Sequence, residues 1–331
     1  MRFLILGCGS IGTRHIKNLK QISKNCEIDV YDSNRNLLDK VSNQLNVNSL
    51  DKTDFTSIHY DCVFICTPPV FHINLASQAI QSGLNVFIEK PLSSNSKGIS
   101  TLLSLSRKNN VLVFVGYNLR FHKAISIIKK IIDSKKYGKP IHSSAFFGSF
   151  LIDWRPEQDY RKSYTAVNVL GGGIIHDASH ELDYMKFLFG VPIYVQSHYI
   201  KTNMLKTDTE ALADIILEFK NNLLATIHLD YLRRDYNRSL EVMFESGTIS
   251  WSFQENKIII YDAKTQMKKK IVINESVNTM YVNELKHIIK CLKEKKQSKI
   301  INLKNGISTF EISEIIKKSQ KTGRKIKLRW N

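Results

Sequence analysis

The stretch "RFLILGCGSIG", residues 2–12, joins a short apolar run to a turn that contains three glycines. Gly7, Gly9 and Gly12 have the G-x-G-x-x-G spacing of a turn that connects a buried strand to a helix and binds a dinucleotide. The first glycine allows the tight bend, the second lets a pyrophosphate approach the backbone, and the third allows close packing of helix on sheet. The stretch therefore predicts a strand, a phosphate-binding turn and a helix.

The segment after this turn indicates which dinucleotide is bound. A second apolar strand, "EIDVYD", ends at Asp32, 20 residues after Gly12. A carboxylate in this place binds both ribose hydroxyls and repels a 2′-phosphate, which favours NAD over NADP, whereas the nearby Arg35 could accept that phosphate. The helix N-terminus also faces the phosphates. The cofactor-binding residues predicted from this segment are Gly7, Gly9, Ser10, Ile11, Gly12 and Asp32.

The pattern of apolar residues predicts two domains. As far as about residue 120, short and almost wholly apolar runs alternate with helical patterns, which is typical of a parallel sheet covered on both faces. Beyond that point, alternating strands lie close together with turn residues between them, and two helices close the chain. We expect an α/β fold: an N-terminal Rossmann doubly wound parallel sheet over 1–120, and a C-terminal α+β domain with a large, mostly antiparallel sheet over 121–331.

Composition narrows the class of protein. The chain has 331 residues, of which 43% are hydrophobic and 24% charged, and no apolar run approaches the ~20 residues that cross a bilayer. Five cysteines without regular spacing argue against a disulfide framework and favour the cytoplasm. The formal net charge of +18 suits a nucleic-acid binder, a lysine-rich surface or an anionic small-molecule substrate. Because no nucleic-acid module accompanies the charge, we expect no nucleic-acid partner. The lack of a long apolar run likewise leads us to expect no membrane partner.

Two further motifs stand where predicted parallel strands end, which is where ligands bind in such sheets. "CTPPVFH", residues 66–72, follows the third strand, and "EKPL", residues 89–92, follows the fourth. The first could simply be a rigid loop and the second could carry a solvated surface lysine. As cofactor contacts, the motifs contribute Cys66, Thr67, Pro68, His72, Glu89 and Lys90.

The motifs GCGSIG, CTPP, EKP, GYNLRF and GGG…D…H…D, in this order, resemble the glucose–fructose oxidoreductase / inositol dehydrogenase / MocA family over nearly the whole chain. The resemblance implies an NAD(P)-dependent dehydrogenase that transfers hydride between a nicotinamide and a secondary alcohol or ketone. The implied substrate is a sugar, cyclitol or nucleotide-linked sugar, as in surface-polysaccharide pathways. It also implies a homodimer or homotetramer formed through the C-terminal sheet.

The catalytic residues implied by the resemblance lie partly in "GGGIIHDASHELDY", residues 171–184. Lys90 would orient the hydroxyl, and His180 would be the general base. The family has an aspartate four residues before this histidine; here Asp177 lies three before it and His176 four before it, and both spacings share one face of a helix. We expect Asp177 to be the partner, with His176 as the alternative. The glycines would leave room for a ligand. A zinc site or an exposed polar helix are the competing interpretations, and we expect no metal.

Substrate contacts are predicted in "DWRPEQDYRKSY", residues 153–164, where Arg155, Tyr160 and Arg161 could hold an anionic or multi-hydroxyl substrate. Asn118 is predicted to lie in the cleft, and the nearby Arg120 could form an inter-domain salt bridge. Two alternatives to an enzyme remain at this point. One is a non-catalytic regulatory protein that binds dinucleotide and sugar, and the other is a nucleic-acid-binding protein with a vestigial cofactor fold.

Overall fold

The computed structural model describes residues 1–154, 156 and 159–328. In chain order the strands are β1 (Arg2–Leu6), β2 (Glu27–Tyr31), β3 (Asn48–Ser49), β4 (Cys62–Ile65), β5 (Val86–Glu89), β6 (Val113–Gly116), β7 (Pro140–Gly148), β8 (Tyr194–Ile200), β9 (Leu212–Glu218), β10 (Leu224–Asp230), β11 (Asn237–Phe244), β12 (Gly247–Ser252), β13 (Lys257–Asp262), β14 (Met267–Val272) and β15 (Ile326–Lys327). The α-helices are α1 (Ser10–Ile22), α2 (Arg35–Leu45), α3 (His72–Gln81), α4 (Ile99–Lys108), α5 (Lys123–Ser134), α6 (Ile174–Asp177), α7 (Ser179–Phe189), α8 (Val277–Glu294) and α9 (Leu303–Thr322).

The chain forms two compact units. The first consists of Met1–Asn118 and Val277–Ser308, and the second of Leu119–Ser276 and the chain from Thr309 onward. The sequence analysis predicts a single boundary between the domains, at residue 120. In the structure the chain returns to the first unit at residue 277, so each unit contains two segments.

The first unit contains a six-stranded parallel sheet in the order β3-β2-β1-β4-β5-β6. The central strands β1, β4 and β5 and the edge strand β6 are buried almost throughout, as their continuous apolar runs predict for a sheet covered on both faces. Strand order reverses beside β1, and the carboxyl ends at such a switch point form the usual ligand crevice. The predicted Rossmann domain is confirmed.

Helix α8 belongs to the first unit although the second unit's sheet precedes it in sequence. It packs against α1, where the guanidinium of Arg14 lies 4.5 Å from the ring centroid of Tyr281. The side chains of Asn18 and Asn278 also exchange two hydrogen bonds, of 3.2 and 2.8 Å. The fold of the first unit is therefore completed by a segment that lies beyond residue 276.

The second unit contains a nine-stranded sheet in the order β14-β13-β12-β11-β7-β10-β9-β8-β15. All neighbouring strands are antiparallel except β7 and β10, which pair in parallel. Strands β10 and β11 run in opposite directions, and β7 lies between them, so β7 must be parallel to one of the two. One face is buried: on β10, Ala225, Ile227 and Leu229 are inaccessible while Leu224 is exposed. The predicted large, mostly antiparallel sheet is confirmed. In the part of the chain that the structure describes, we find no helix with the length and apolarity needed to cross a membrane.

Candidate active site

The glycine turn between β1 and α1 is fixed by close packing. Gly7 has φ +99°, and a Cβ at this position would lie 2.6 Å from the carbonyl oxygen of Cys66. A Cβ at Gly12 would lie 1.9 Å from the carbonyl oxygen of Gly7. Both contacts are with backbone, which cannot move aside as a flexible side chain could. Glycine is therefore required at both positions.

The start of α1 is open, in contrast. The N-cap residue, Gly9, has no side chain that could accept a hydrogen bond from the first N–H groups of the helix. The first turn also carries no acidic residue. A Cβ built on Gly9 would meet nothing within 4 Å. The first N–H groups of a helix have no partner within the helix and attract anions. The backbone at Ser10 and Ile11 therefore suits the pyrophosphate of a dinucleotide.

Asp32 lies directly after β2, and its carboxylate is oriented by the turn. The backbone N–H of Cys8 donates to Oδ2 at 2.7 Å, and that of Asn34 donates to Oδ1 at 2.8 Å. The residue is only partly buried. A carboxylate held in this way beside the glycine turn retains acceptor capacity for ribose hydroxyls.

Arg35, the residue that could have favoured NADP, is paired with carboxylates. Its Nη1 lies 2.6 Å from Asp51 Oδ1, and its Nε lies 3.1 Å from Asp39 Oδ1. The hydrogen bond to Asp51 and the charges of both carboxylates raise the pKa of the guanidinium. These contacts reduce the attraction of Arg35 for a 2′-phosphate, because two negative charges already surround it.

The loop after β4 offers a buried polar atom. Cys66 is buried, and burial, followed by the charge of Glu89, raises the pKa of its thiol well above the ordinary value. A neutral thiol is a poor nucleophile, so Cys66 contributes shape rather than reactivity. The hydroxyl Oγ1 of Thr67 is also buried, and it has no hydrogen-bond partner among the described residues. Buried polar atoms are normally paired, so Thr67, next to Pro68, fits contact with a bound group.

His72 holds the loop after β4 and the loop after β5 together. It is the first residue of α3 and is buried, with Nε2 2.8 Å from the carbonyl oxygen of Thr67 and Nδ1 3.0 Å from that of Pro91. Burial lowers the pKa of its imidazole. Both ring nitrogens therefore face carbonyl groups of the protein, and His72 links the CTPP loop to the EKP loop.

Glu89, the last residue of β5, is tied to a buried histidine that the sequence analysis did not single out. Its Oε1 lies 2.7 Å from Nε2 of His15, and its Oε2 accepts the backbone N–H of Lys90 at 3.1 Å. The His15 ring packs against Phe64 and Phe87. The available signal was a histidine three residues after Gly12, on the helix face that must cover the sheet. Lys90 itself is half-buried.

Asn118 ends the first stretch of the first unit. It is buried, and its side chain forms a hydrogen bond with Tyr281 of α8. Its Oδ1 atom has no partner within the part of the chain that the structure describes. As with Thr67, this orphaned acceptor is consistent with a ligand contact.

The glycine run in the second unit serves the chain's own packing. A Cβ on Gly172 would lie 2.2 Å from the carbonyl oxygen of Tyr164, and one on Gly173, at φ +111°, would lie 2.3 Å from the Glu210 carboxylate. The expectation that these glycines leave room for a ligand is wrong at these two positions, because backbone and the Glu210 side chain occupy the space. The run instead lets Tyr164 and Glu210 approach the start of α6.

Asp177 and His180 do not share one helix. Asp177 is the last residue of α6, Ala178 interrupts the helix at φ −91° and ψ 25°, and His180 lies in the first turn of α7. The argument from helical spacing therefore fails here. Asp177 is buried and accepts a 2.7 Å hydrogen bond from the hydroxyl of Tyr231, while His180 is only half-buried. Nothing in the spacing of the sequence indicated the contribution of Tyr231.

His176 faces a different part of the second unit. Its Nδ1 lies 3.2 Å from the carbonyl oxygen of Gly171, and its Nε2 lies 3.1 Å from Nζ of Lys317 on α9. The ring also packs near Phe310 of the same helix. Both ring nitrogens are thus engaged by structural partners. Among the described residues, no group of three or more His, Cys, Asp and Glu side chains is arranged to hold a metal ion.

Asp183, the last acid of the motif, forms a buried ion pair. Arg120 donates to its two oxygens from Nε at 2.6 Å and Nη2 at 2.7 Å, and Thr309 donates from Oγ1 at 2.8 Å. All three residues belong to the second unit. The alternative of an inter-domain salt bridge for Arg120 is therefore wrong, and the pair stabilises the second unit from within.

The predicted substrate segment contains short 3₁₀ turns, including Tyr160–Lys162. Arg161 donates to both oxygens of Asp159 at 2.7 Å, and the Tyr160 hydroxyl accepts the backbone N–H of Lys206 at 3.1 Å. The Arg161 side chain is about half exposed, so this ion pair lies at the surface of the second unit. Arg155 lies outside the described residues.

Comparison with known proteins assigns the chain to a family. Residues 1–117 match an oxidoreductase family with an NAD-binding Rossmann fold, and residues 125–250 match the GFO/IDH/MocA C-terminal domain. The chain belongs to the GFO/IDH/MocA oxidoreductase family. The predicted resemblance, the oxidoreductase class and the NAD-binding domain are thereby confirmed.

Individual relatives of this GFO/IDH/MocA protein are distant but extend along its length. Myo-inositol 2-dehydrogenase of Thermotoga maritima is 25% identical over 99% of this chain and 98% of its own. UDP-N-acetylglucosamine 3-dehydrogenase of Acidithiobacillus ferrooxidans is 23% identical over 79% of this chain and 77% of its own. The structure of levoglucosan dehydrogenase with NADH and levoglucosan has a TM-score of 0.89 at 14% identity and covers both chains fully. This last likeness shows a common fold.

Proposed function

We propose that this protein is an NAD-dependent dehydrogenase that transfers hydride between a secondary alcohol and the nicotinamide of NAD. The observation that supports this most directly is the open helix start at Gly9 beside the oriented carboxylate of Asp32. The pairing of Arg35 with Asp39 and Asp51 supports NAD over NADP. A cyclitol dehydrogenase is related over 99% of the chain, and a nucleotide-sugar dehydrogenase over 79% of it.

Three side chains carry the proton chemistry in this proposal. Lys90 donates a hydrogen bond to the reacting hydroxyl and orients it. His180 accepts the hydroxyl proton as the hydride leaves the carbon, because an imidazole has a pKa near neutrality. Asp177 fixes and stabilises the imidazolium that forms, and we prefer it to His176, whose ring nitrogens face Gly171 and Lys317. NAD, when bound, supplies the hydride acceptor.

The proposed substrate is a sugar, cyclitol or nucleotide-linked sugar. Tyr160, Arg161 and Asn118 are its proposed contacts, and a formal net charge of +18 favours an anionic molecule. A nucleotide-linked sugar of surface-polysaccharide synthesis carries a diphosphate and meets this condition. The relative that acts on UDP-N-acetylglucosamine supports this choice.

We further infer a homodimer or homotetramer formed through the face of the nine-stranded sheet opposite its buried side. On that face the side chains of Ile216 and Leu224 are 40% and 41% exposed. Such apolar exposure on a sheet is typical of an association surface. All five cysteines are free, which supports action in the reducing cytoplasm.

A single assay tests the proposal. Purified protein and NAD are mixed with a panel of cyclitols, free sugars, sugar acids and nucleotide sugars, and NADH is followed by absorbance; the panel is repeated with NADP. We expect NADH formation with at least one member and little or none with NADP. Binding of NADH without turnover of any member would instead favour the regulatory protein that binds dinucleotide and sugar.

A further inference from the structure

Tyr231 forms a buried hydrogen bond with Asp177, and the mechanism proposed above gives Tyr231 no role. Its hydroxyl donates to Asp177 Oδ2 at 2.7 Å. Tyr231 is 0% exposed and Asp177 is 5% exposed, so the bond lies in a largely dry environment. Hydrogen bonds to an ionised acceptor are shorter and about twice as strong as those between neutral groups.

The phenol is held rigidly at the end of the sheet. Tyr231 directly follows β10, and its backbone N–H donates to the carbonyl oxygen of Ala211 at 2.8 Å. Its own carbonyl oxygen accepts the N–H of Leu151 at 3.0 Å. The Tyr231 ring meets that of Trp154 edge to face, with centroids 5.3 Å apart. The position of the hydroxyl is therefore set by the backbone beside β9 and β10 and by the turn at Leu151–Trp154.

Burial and the charges around Tyr231 keep its phenol protonated. Burial raises its pKa well above the ordinary value, and the charge of Asp177, the hydrogen bond to it, and the nearby Glu210 and Tyr164 act in the same direction. A protonated phenol can only donate to a carboxylate, which has no proton of its own to give. The phenol is therefore the donor in this pair.

We propose that Tyr231 is a positioning residue for the reaction: it holds Asp177 as an oriented carboxylate while His180 takes the substrate proton. This inference rests on the proposed function, because it requires Asp177 to serve His180. A carboxylate with one oxygen fixed in this way needs less reorientation when charge develops on His180, which is the advantage of a preorganised site. Since Tyr231 acts through Asp177, its loss changes turnover and leaves cofactor binding unaltered.

The test compares Tyr231→Phe, Asp177→Asn and the double variant with the wild-type protein, using the panel member that gives the fastest NADH formation. For Tyr231→Phe we expect kcat to fall about tenfold, equivalent to ~1.4 kcal/mol in the barrier. KM and the Kd for NADH should change less than twofold. In the Asp177→Asn background, Tyr231→Phe should have no further effect on kcat, because the carboxylate that it orients is absent.

Tyr261→Phe is the matched control, since Tyr261 lies on β13, with three strands between it and β10. Unchanged kcat in Tyr231→Phe, together with impaired Asp177→Asn, overturns the inference alone. Independent, multiplying effects of the two substitutions also overturn it. Full turnover in Asp177→Asn, or a panel without any substrate, instead overturns the proposed function on which it rests.

A second substitution keeps the test valid if Tyr231→Phe does not fold. Site-specific replacement of Tyr231 by 3-fluorotyrosine preserves the shape of the side chain but makes the phenol a stronger hydrogen-bond donor. We expect a change in kcat and a shift of the isotope-edited infrared carboxylate band of Asp177. A band and a kcat that both match those of the wild-type protein would contradict the inference.

Discussion

The imidazole Nε2 of His15 lies 2.7 Å from the carboxylate Oε1 of Glu89. His15 is on α1, the helix that begins at the glycine turn, and Glu89 also accepts the backbone N–H of Lys90. One buried pair thus connects the helix proposed to bind the cofactor phosphates with the lysine proposed to orient the substrate. The connection passes through the core of the first unit and not along its surface.

Replacement of His15 by Leu is expected to destabilise the protein and slow turnover. The Glu89 carboxylate would lose its buried partner, at a cost of about 1–3 kcal/mol in the free energy of unfolding. Lys90 would then be held less firmly, so kcat should also fall. Urea unfolding and the NADH assay measure the two effects. His59→Leu, at an exposed position of the same unit, is the control, and equal stability of both variants would argue against the importance of the pair.

Replacement of Lys90 or His180 by Ala is expected to abolish most turnover while NADH still binds. Removal of a general acid–base group typically costs about 10²–10⁴-fold in rate. The cofactor contacts proposed at Gly9 and Asp32 remain intact in both variants. Lys97→Ala and His198→Ala, at exposed positions, serve as controls. Normal turnover in either active-site variant would remove that residue from the proposed mechanism.

Replacement of Asp32 by Ala is expected to weaken NAD binding about tenfold or more, because hydrogen bonds to a charged group contribute about 1.5–3 kcal/mol. NADP binding should change less, since its 2′-phosphate no longer meets a negative charge. Fluorescence titration with NADH and NADPH measures both affinities. Glu27→Ala, at the other end of β2, is the control. An equal loss for both cofactors would show that Asp32 supports the turn without reading the ribose.

Lys186 on α7 makes stability depend on pH. Burial lowers the pKa of its ammonium group from 10.5 to about 7; Asp183 and Glu311 oppose this shift, and Arg120 adds to it. Between these two pH values the unfolded chain holds a proton that the folded protein lacks. The free energy of unfolding from this group therefore rises with pH across that window, by up to ~1.4 kcal/mol per pH unit.

Lys186→Met removes this titration and is expected to give a flatter dependence of stability on pH from 7 to 10. Urea unfolding at several pH values measures the difference from the wild-type protein. Lys290→Met, on the exposed face of α8, should leave the dependence unchanged. A Lys186→Met variant with the same slope as the wild-type protein would show that the lysine keeps its ordinary pKa.

The features that could be predicted from sequence are those set by short-range rules. The continuous apolar runs of β1, β4, β5 and β6 indicate strands covered on both faces, and the spacing of Gly7, Gly9 and Gly12 indicates the turn. Gly7 and Gly12 can be interpreted because each meets a steric limit that no other residue satisfies, whereas Gly9 borders open space. The first unit was accordingly the part of the fold most accessible to sequence analysis.

The features that could not be predicted depend on contacts between distant residues. The parallel pairing of β7 with β10 joins segments about 80 residues apart, and nothing in either strand encodes it. Likewise, the break at Ala178 arises where α6 packs against β9 and β10, so the helical spacing of Asp177 and His180 gave a misleading expectation. The bond from Tyr231 to Asp177 spans 54 residues and follows from that same packing.

Because α8 belongs to the first unit, truncation of the gene after the predicted domain boundary would remove part of that unit. A reading frame that stops at residue 120 would encode α1 without Tyr281 and Asn278, the residues that face Arg14 and Asn18. Because the chain passes between the units at residues 118, 276 and 308, a single proteolytic cut releases neither of them. An autonomous cofactor-binding module would instead have to be assembled from both segments, with a designed linker in place of the excised sheet.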